Sequence, residues 1–126
     1  MSEVLQAISD GMDELEINYE FLEWTSKPAY PYFVGEYQEV PSLNEEGVQE
    51  TTVILTGFAR GAEANLALEE AKQKIKAHFP TVGGRIVSGD SSTLAIFYAN
   101  SMTIPTGDAE LKRIQINLTV KEWSVN

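Results

Sequence analysis

The amino-acid sequence predicts an α+β fold: a mostly antiparallel sheet of four to six strands, with two helices packed on one face. Three observations support this prediction. Two segments carry apolar residues at helical spacing, one near the first residue and one after position 61. Shorter segments between and after them alternate apolar and polar residues, as strands do. The strands cluster around one internal helix, which is typical of an antiparallel sheet with its helices on one side.

The chain begins with an amphipathic helix. Val4, Leu5, Ile8, Met12 and Leu15 recur at helical spacing, with acidic side chains between them. Gly11 lowers helix propensity by roughly 1 kcal/mol relative to alanine, so we expect it to mark a place of close packing. A first strand with one solvent-exposed face is predicted next, because Ile17, Tyr19 and Phe21 alternate with Asn18 and Glu20.

The next two strands carry apolar residues on both faces. Two prolines in residues 25–31, TSKPAYP, predict a loop, and a second strand is predicted at Tyr32–Val40. The third strand is predicted at Thr51–Phe58, and the polar segment Pro41–Gln49 is predicted to be a long connecting loop. A strand that is apolar on both sides is either central and covered by a helix, or covered by another subunit.

The second half of the chain predicts one helix and two or three strands. The helix is expected at Ala62–Phe79, where Leu68, Ala71, Ile75 and Phe79 form an apolar stripe that Pro80 ends. A short strand is predicted from Arg85 to Val87, followed by the turn SGDSS and a strand from Thr93 to Asn100. The last strand has one apolar and one polar face, because Ile114, Ile116, Leu118 and Val120 alternate with polar residues.

Composition excludes several classes of protein. The 126 residues are 43% apolar, which is too many for a disordered chain, and they predict one domain over 1–126. No apolar run reaches the roughly 18 residues of a membrane helix, and the acidic first segment is unlike a signal peptide. A cysteine-free chain has no disulfides and fits an intracellular origin. The net charge of −10 disfavours wrapping around nucleic acid, although DNA can pass such a surface without adhering.

No catalytic, cofactor or metal motif stands out. His78 is the only histidine, and one histidine without cysteine cannot form a usual zinc site. A calcium-binding loop has oxygen ligands at alternating positions around a glycine, and the carboxylates near Asp10 and Glu45 lack this spacing. The glycines around Arg60, in GFARGAEAN, lack the endings of a phosphate-binding loop, so Arg60 is interpreted as a surface or interface cation. We therefore expect no cofactor, no metal and no enzymatic activity.

The order of elements resembles a family of phage proteins. A helix leads into a strand and a proline-bearing segment, and a polar excursion separates YPYFVGEYQEV from ETTVILTGFARG. One helix and the alternating strand LKRIQINLTVKEW follow. This arrangement is similar, over nearly the whole chain, to the tail-terminator and minor tail proteins of long-tailed (siphovirus-type) bacteriophages and prophages. The resemblance is one of element order and length, without a diagnostic motif.

The resemblance implies a structural role. Tail terminators form a hexameric ring on the last ring of the tail tube, end its polymerisation and contribute to head–tail joining. The implied partners are further copies of the chain, the major tail-tube protein, a head-completion or neck protein, and DNA that passes through the lumen without specific binding. No membrane is implied; the expected location is the bacterial cytoplasm during virion assembly and then the virion tail.

The candidate site is an oligomer or partner interface. Aromatic residues are enriched at such interfaces, although the same residues can also be core. The predicted interface residues are Trp24, Tyr30, Tyr32, Tyr37, Leu43, Glu45, Glu46, Glu50 and Arg60. Two alternatives stay open: a head-completion or neck protein of the same particle, and a small ligand-binding α+β domain.

Overall fold

A computed structural model of the protein describes residues 2–22, 29–40, 48–89 and 92–124. It contains two helices and one six-stranded sheet in the predicted α-β-β-β-α-β-β-β order, which confirms the α+β fold. The elements are α1 (Ser2–Glu14), β1 (Asn18–Phe21), β2 (Tyr32–Val40), β3 (Val48–Arg60), α2 (Ala64–His78), β4 (Arg85–Ser88), β5 (Ser92–Ile104) and β6 (Leu111–Ser124).

The strands lie in the order β1-β2-β3-β6-β5-β4. Only β1 and β2 are parallel to each other, and the other four pairings are antiparallel. Strands β3 and β6 form the centre of the sheet and pair from Val48↔Trp123 to Arg60↔Leu111. The two outermost strands, β1 and β4, are each four residues long.

The hydrophobic core lies between the helices and one face of the sheet. From Thr51 onward, every second residue of β3 is buried on this face, and Ile116 and Leu118 of β6 lie opposite Leu55 and Val53. Most residues of the two predicted helical stripes belong to the same buried cluster: Val4, Ile8 and Met12 on α1, and Leu68, Ala71, Ile75 and Phe79 in and after α2. Leu15 packs against this cluster, whereas Leu5 is half-buried outside it.

Two glycines allow close packing in this core. Gly57 lies directly across from Phe33 in the β2–β3 pair, and a Cβ atom at position 57 would overlap the Phe33 ring. Gly11 lies where α1 meets the end of α2, and a Cβ there would be 2.7 Å from Cζ of Phe79. The prediction that Gly11 marks close packing is confirmed.

Strands β3 and β5 show details that differ from the sequence prediction or go beyond it. The third strand begins at Val48 and not at Thr51, so Val48 and Gln49 belong to a strand; residues 41–47 of the predicted loop lie outside the described residues. In β5, a register shift between Tyr98 and Asn100 adds a residue opposite Asn117. This bulge reverses the alternation beyond it, so Met102 and Ile104 lie on the face opposite the core.

His78 is held at the junction of the two helices. Its side chain is 12% exposed, its ring meets the Phe79 ring edge-on at 4.8 Å, and its Nε2 is 3.5 Å from Oε2 of Glu14. Arg85 contacts the same carboxylate at 3.5 Å. Burial lowers the pKa of His78, the positive charge of Arg85 lowers it further, and Glu14 opposes both effects. The neutral imidazole is therefore the form that the fold favours.

This environment predicts a pH dependence of stability. Between the lowered pKa of folded His78 and about 6.5 in the unfolded chain, only the unfolded state binds the proton, so the free energy of unfolding falls as pH decreases through this window. Urea unfolding at a series of pH values measures the slope, and the His78→Gln variant provides the reference. We expect a steeper loss below pH 6.5 in the wild type and parallel curves above pH 7.5. Parallel curves over the whole range would contradict the assignment.

Candidate functional site

One face of the sheet carries no helix among the described residues. Both α1 and α2 contribute to the core on the other face, which we call the helix-bearing face. The remaining face, called the open face here, presents the alternate residues of each strand, such as Ile54 of β3 and Asn117 of β6. Along β3 these residues are half-buried, apart from the buried Val48 and the exposed Arg60. Apolar side chains (Val48, Ile54 and Phe58) are interspersed with polar ones along the strand.

An aromatic row occupies one end of the open face. The rings of Tyr32 and Phe58 stack at 5.1 Å across the β2–β3 pair, and Tyr30 packs on Tyr32 at 5.4 Å. The guanidinium of Arg60 lies 5.9 Å from the centre of the Tyr30 ring. The aromatic row (Phe58, Tyr32, Tyr30 and Arg60) thus combines three large rings with a cation.

Asp108, in the turn between β5 and β6, holds Arg60 at the end of this row. Arg60 Nη1 is 3.3 Å from Oδ2 of Asp108, and the Glu110 amide donates a hydrogen bond to Oδ1. That amide lowers the pKa of Asp108 most, and the charge of Arg60 lowers it further. Both partners are partly exposed, so the pair orients Arg60 and contributes little to stability.

A band of side-chain amides crosses the middle of the open face. Asn117 Nδ2 donates to Oδ1 of Asn100 at 2.7 Å, and Gln115 Nε2 donates to Oδ1 of Asn117 at 3.1 Å. The amide band (Asn100, Gln115 and Asn117) connects β5 with β6. Each amide has donors and acceptors beyond these bonds, so the band can form hydrogen bonds with a surface placed on it.

An apolar patch occupies the opposite end of the open face. Lys121 lies over the Phe97 ring at 5.9 Å, and Ile86 of β4 is 60% exposed. Trp123 lies across from Val48 and is 36% exposed. We call Ile86, Phe97, Lys121 and Trp123 the distal patch.

The structure brings together three of the predicted interface residues. Tyr30, Tyr32 and Arg60 are consecutive members of the aromatic row. Glu50 also lies on the open face, where it is paired across strands with Lys121. Tyr37 is instead on the helix-bearing side of β2, stacked on Phe21 at 5.8 Å. The other four, Trp24, Leu43, Glu45 and Glu46, lie outside the described residues.

Sequence reasoning missed the amide band and much of the distal patch. The alternation of the last strand predicts one polar face, but alternation alone does not show whether such a face meets water or a protein partner. The apolar residues on both sides of β5 were a usable signal for Phe97. Nothing in the sequence marks the bulge that turns Met102 toward the open face.

The described residues offer little for catalysis. No three histidine, cysteine or acidic side chains among them are grouped as metal ligands. A depression of about 400 Å³ lies around the β5–β6 turn and is lined by Thr103, Asp108, Lys112 and Arg113, among others. The shifted pKa of Asp108 in it is explained by the turn hydrogen bond and Arg60, so the shift does not mark a reactive acid.

Among the described residues, the open face is thus the surface with the clearest capacity to bind a partner. In the part of the chain that the structure describes, no helix is long and apolar enough to cross a bilayer. No protein-family model matches the chain, and no curated protein is similar enough to it to count as a match.

Proposed function

We propose that this chain is a non-enzymatic structural protein of a long-tailed bacteriophage that caps the tail tube as a ring. In this role it ends tube polymerisation and forms part of the head–tail joint. The observation that carries the proposal is the open face, a sheet surface with aromatic and aliphatic side chains at both ends and no helix over it among the described residues. The order of helices and strands supports the same role through its resemblance to tail terminators.

The composition of the open face fits a protein partner. Ile86 and Met102 are each more than half exposed, and exposed apolar side chains grouped on one surface are typical of interaction sites. The aromatic row adds tyrosines and an arginine, residue types that dominate binding energy when they are buried at an interface. The amide band separates the two ends and requires hydrogen-bonding groups from whatever covers it. The occupant we infer is the last ring of the tail-tube protein.

The charge distribution supports passage of DNA without binding. The chain has a net charge of −10, and Asp10 and Asp13 on α1 are exposed on the helix-bearing side. A negative surface repels the phosphate backbone, so DNA close to it does not adhere. The role therefore requires no nucleic-acid site.

Sedimentation and tube binding test this proposal. We expect the purified chain to self-associate as its concentration rises, and to co-sediment with tubes of the tail-tube protein from the same phage or prophage. Immunogold labelling of virions is expected at the head-proximal end of the tail. A protein that stays monomeric at every concentration and leaves tail tubes unbound would contradict the proposal.

Two alternatives predict different results. A head-completion or neck protein would bind the head portal assembly and leave isolated tubes unbound. A small ligand-binding domain would use the depression beside Asp108, whose volume of about 400 Å³ is within the usual range for ligand sites. Substitution of Lys112 in that depression would then abolish ligand binding, whereas the capping role predicts unchanged tube binding.

A further inference from the structure

Each edge of the sheet is covered along only part of its length. The outermost strand β1 pairs with Tyr32–Gly35 of β2, and β4 pairs with Thr93–Ile96 of β5. Two five-residue segments are left with a neighbouring strand on one side only among the described residues: Glu36–Val40 of β2 and Asn100–Ile104 of β5. A free strand edge of this kind is a template for another strand.

The backbone groups that point outward can be identified on the β2 edge. The Leu22 amide donates to the Gly35 carbonyl at 2.7 Å, so the backbone of Gly35 faces away from β3. Backbone groups alternate in direction along a strand. The N–H and C=O groups of Tyr37 and Glu39 therefore also point outward, beyond the end of β1.

The same reasoning applies to the β5 edge. The Tyr98 amide donates to the Phe79 carbonyl at 2.8 Å, so Tyr98 faces outward, and its Cα partner is the core residue Leu118. Within one strand, the residues whose side chains share a face also direct their backbones to the same side. Ser101 and Thr103 pair with the core residues Ile116 and Ile114, so their N–H and C=O groups point outward.

The β2 edge and the β5 edge, which lack a second neighbouring strand among the described residues, are complementary. Three antiparallel pairings separate β2 from β5, so the strands run in opposite directions at opposite edges of the sheet. We propose that the β5 edge of one copy pairs with the β2 edge of the next and continues the sheet from subunit to subunit. This inference rests on the proposed function, to which it adds the contact between neighbouring subunits.

The register follows from the outward groups. Tyr37 pairs with Thr103 and Glu39 with Ser101, each pair exchanging two hydrogen bonds, and Gln38 lies opposite Met102 between them. All five residues of each segment are used. The helix-bearing face of one copy then continues that of the next, and the open face also becomes continuous.

The side chains permit this pairing. The segment Asn100–Ile104 has no charged residue, so Glu36 meets no like charge there. Tyr37, Gln38, Met102 and Thr103 are all exposed in the isolated chain. The contact is heterologous because two different edges meet, and repetition of such a contact closes into a ring when its rotation allows. The open face remains available to the tail tube.

Proline substitution tests the inference, because the affected amides have no partner inside the described chain. Thr103→Pro removes an outward donor and leaves the bonds to β6 intact, and Thr103→Ala is the matched control that keeps the amide. We expect Thr103→Pro to raise the concentration for half-association about tenfold or more, with an unchanged circular dichroism spectrum, and Thr103→Ala to associate like the wild type.

Complementation identifies the two edges. Tyr37→Pro blocks the β2 edge and Thr103→Pro blocks the β5 edge. At a concentration where the wild type is just associated, each variant alone is expected to be monomeric, and an equimolar mixture is expected to form dimers and no larger species. The chain has no cysteine, so Gln38→Cys and Met102→Cys each introduce a single thiol. On oxidation, a mixture of these two variants should yield mainly the mixed disulfide dimer.

The outcomes separate this inference from the proposed function. If the wild type associates and Thr103→Pro associates equally well, the edge contact is wrong, while the capping role is unaffected. If the cysteine variants form their two self-dimers as readily as the mixed dimer, the register is wrong. A wild type that is monomeric at every concentration overturns the ring and, with it, this contact.

Discussion

Replacing Phe33 by alanine is expected to lower the free energy of unfolding by about 3–5 kcal/mol. Phe33 is fully buried and is among the largest buried side chains of the core. Its ring lies over Gly57, directly across the β2–β3 pair, in the space that a side chain at position 57 would fill. Alanine leaves this volume empty in a sheet whose backbone cannot collapse into it. Urea unfolding followed by circular dichroism measures the loss.

A double-mutant cycle tests whether the ring and the glycine act as a unit. In the wild type, Gly57→Ala is expected to cost about 1–3 kcal/mol, because the new methyl group overlaps the Phe33 ring. In the Phe33→Ala background the methyl group enters vacated space, so its cost is expected to disappear. A coupling energy of about 0.5–3 kcal/mol between the two sites is the expected result. Additive effects would show that the ring does not occupy the space above Gly57.

The helices and the central strands could be predicted from sequence because their burial is one-sided and regular. The stripe from Leu68 to Phe79 has the helical period over its whole length, and the alternation from Ile114 to Val120 has the strand period. In both elements the buried residues are the predicted ones. Patterns of this kind are specified locally, residue by residue, and need no information about neighbouring strands.

The bulge in β5 could not be predicted, since it depends on the strand beside it. Ala99 and Asn100 together span the place of Asn117, a count that exists only once β5 and β6 are paired. One extra residue exchanges the two faces for every position that follows. Met102 and Ile104 therefore contribute to the open face, although unbroken alternation would place them beside Ile96 and Tyr98 in the core.

The sequence could predict residues of the candidate site only where the residue type alone indicates an interface. The residue types of Tyr30, Tyr32 and Arg60 predict an interface, and the structure places these three side by side. Tyr37 has the same residue type but lies on the other side of β2, five residues after Tyr32 in a strand whose side chains alternate between faces. The amide band required the cross-strand register, which the sequence of a single strand does not contain.

In the proposed role, the strand edges and the open face form two different kinds of contact. The free edges offer backbone hydrogen bonds in a fixed direction, which suits copies of one chain placed side by side. The open face offers side chains of varied chemistry, which suits a different protein. A cap needs both kinds of contact, because it must close on itself and also recognise the end of the tube.

Replacing Trp123 by alanine is expected to weaken binding to the tail tube about 30-fold, which corresponds to roughly 2 kcal/mol. Trp123 is the largest side chain of the distal patch and is 36% exposed in the isolated chain. It lies opposite Val48 on β3 and Thr93 on β5, so its ring is held by the sheet while one part stays open to a partner. Burial of a partly held aromatic ring costs little conformational entropy, which makes it an effective anchor.

Leu66→Ala is the matched control, since Leu66 is 57% exposed but lies on α2, on the helix-bearing side. It should bind tubes like the wild type, and both variants should keep the wild-type melting temperature within a few degrees.

The chain has two tryptophans, so Trp24→Phe leaves Trp123 as the only indole reporter. Its emission is expected to shift to shorter wavelength and to resist iodide quenching once tubes are added. A ring buried under a partner cannot stay as accessible to iodide as it was in water. Equal tube affinity for Trp123→Ala and Leu66→Ala, with no change in Trp123 emission or quenching, would therefore exclude the distal patch from the docking surface.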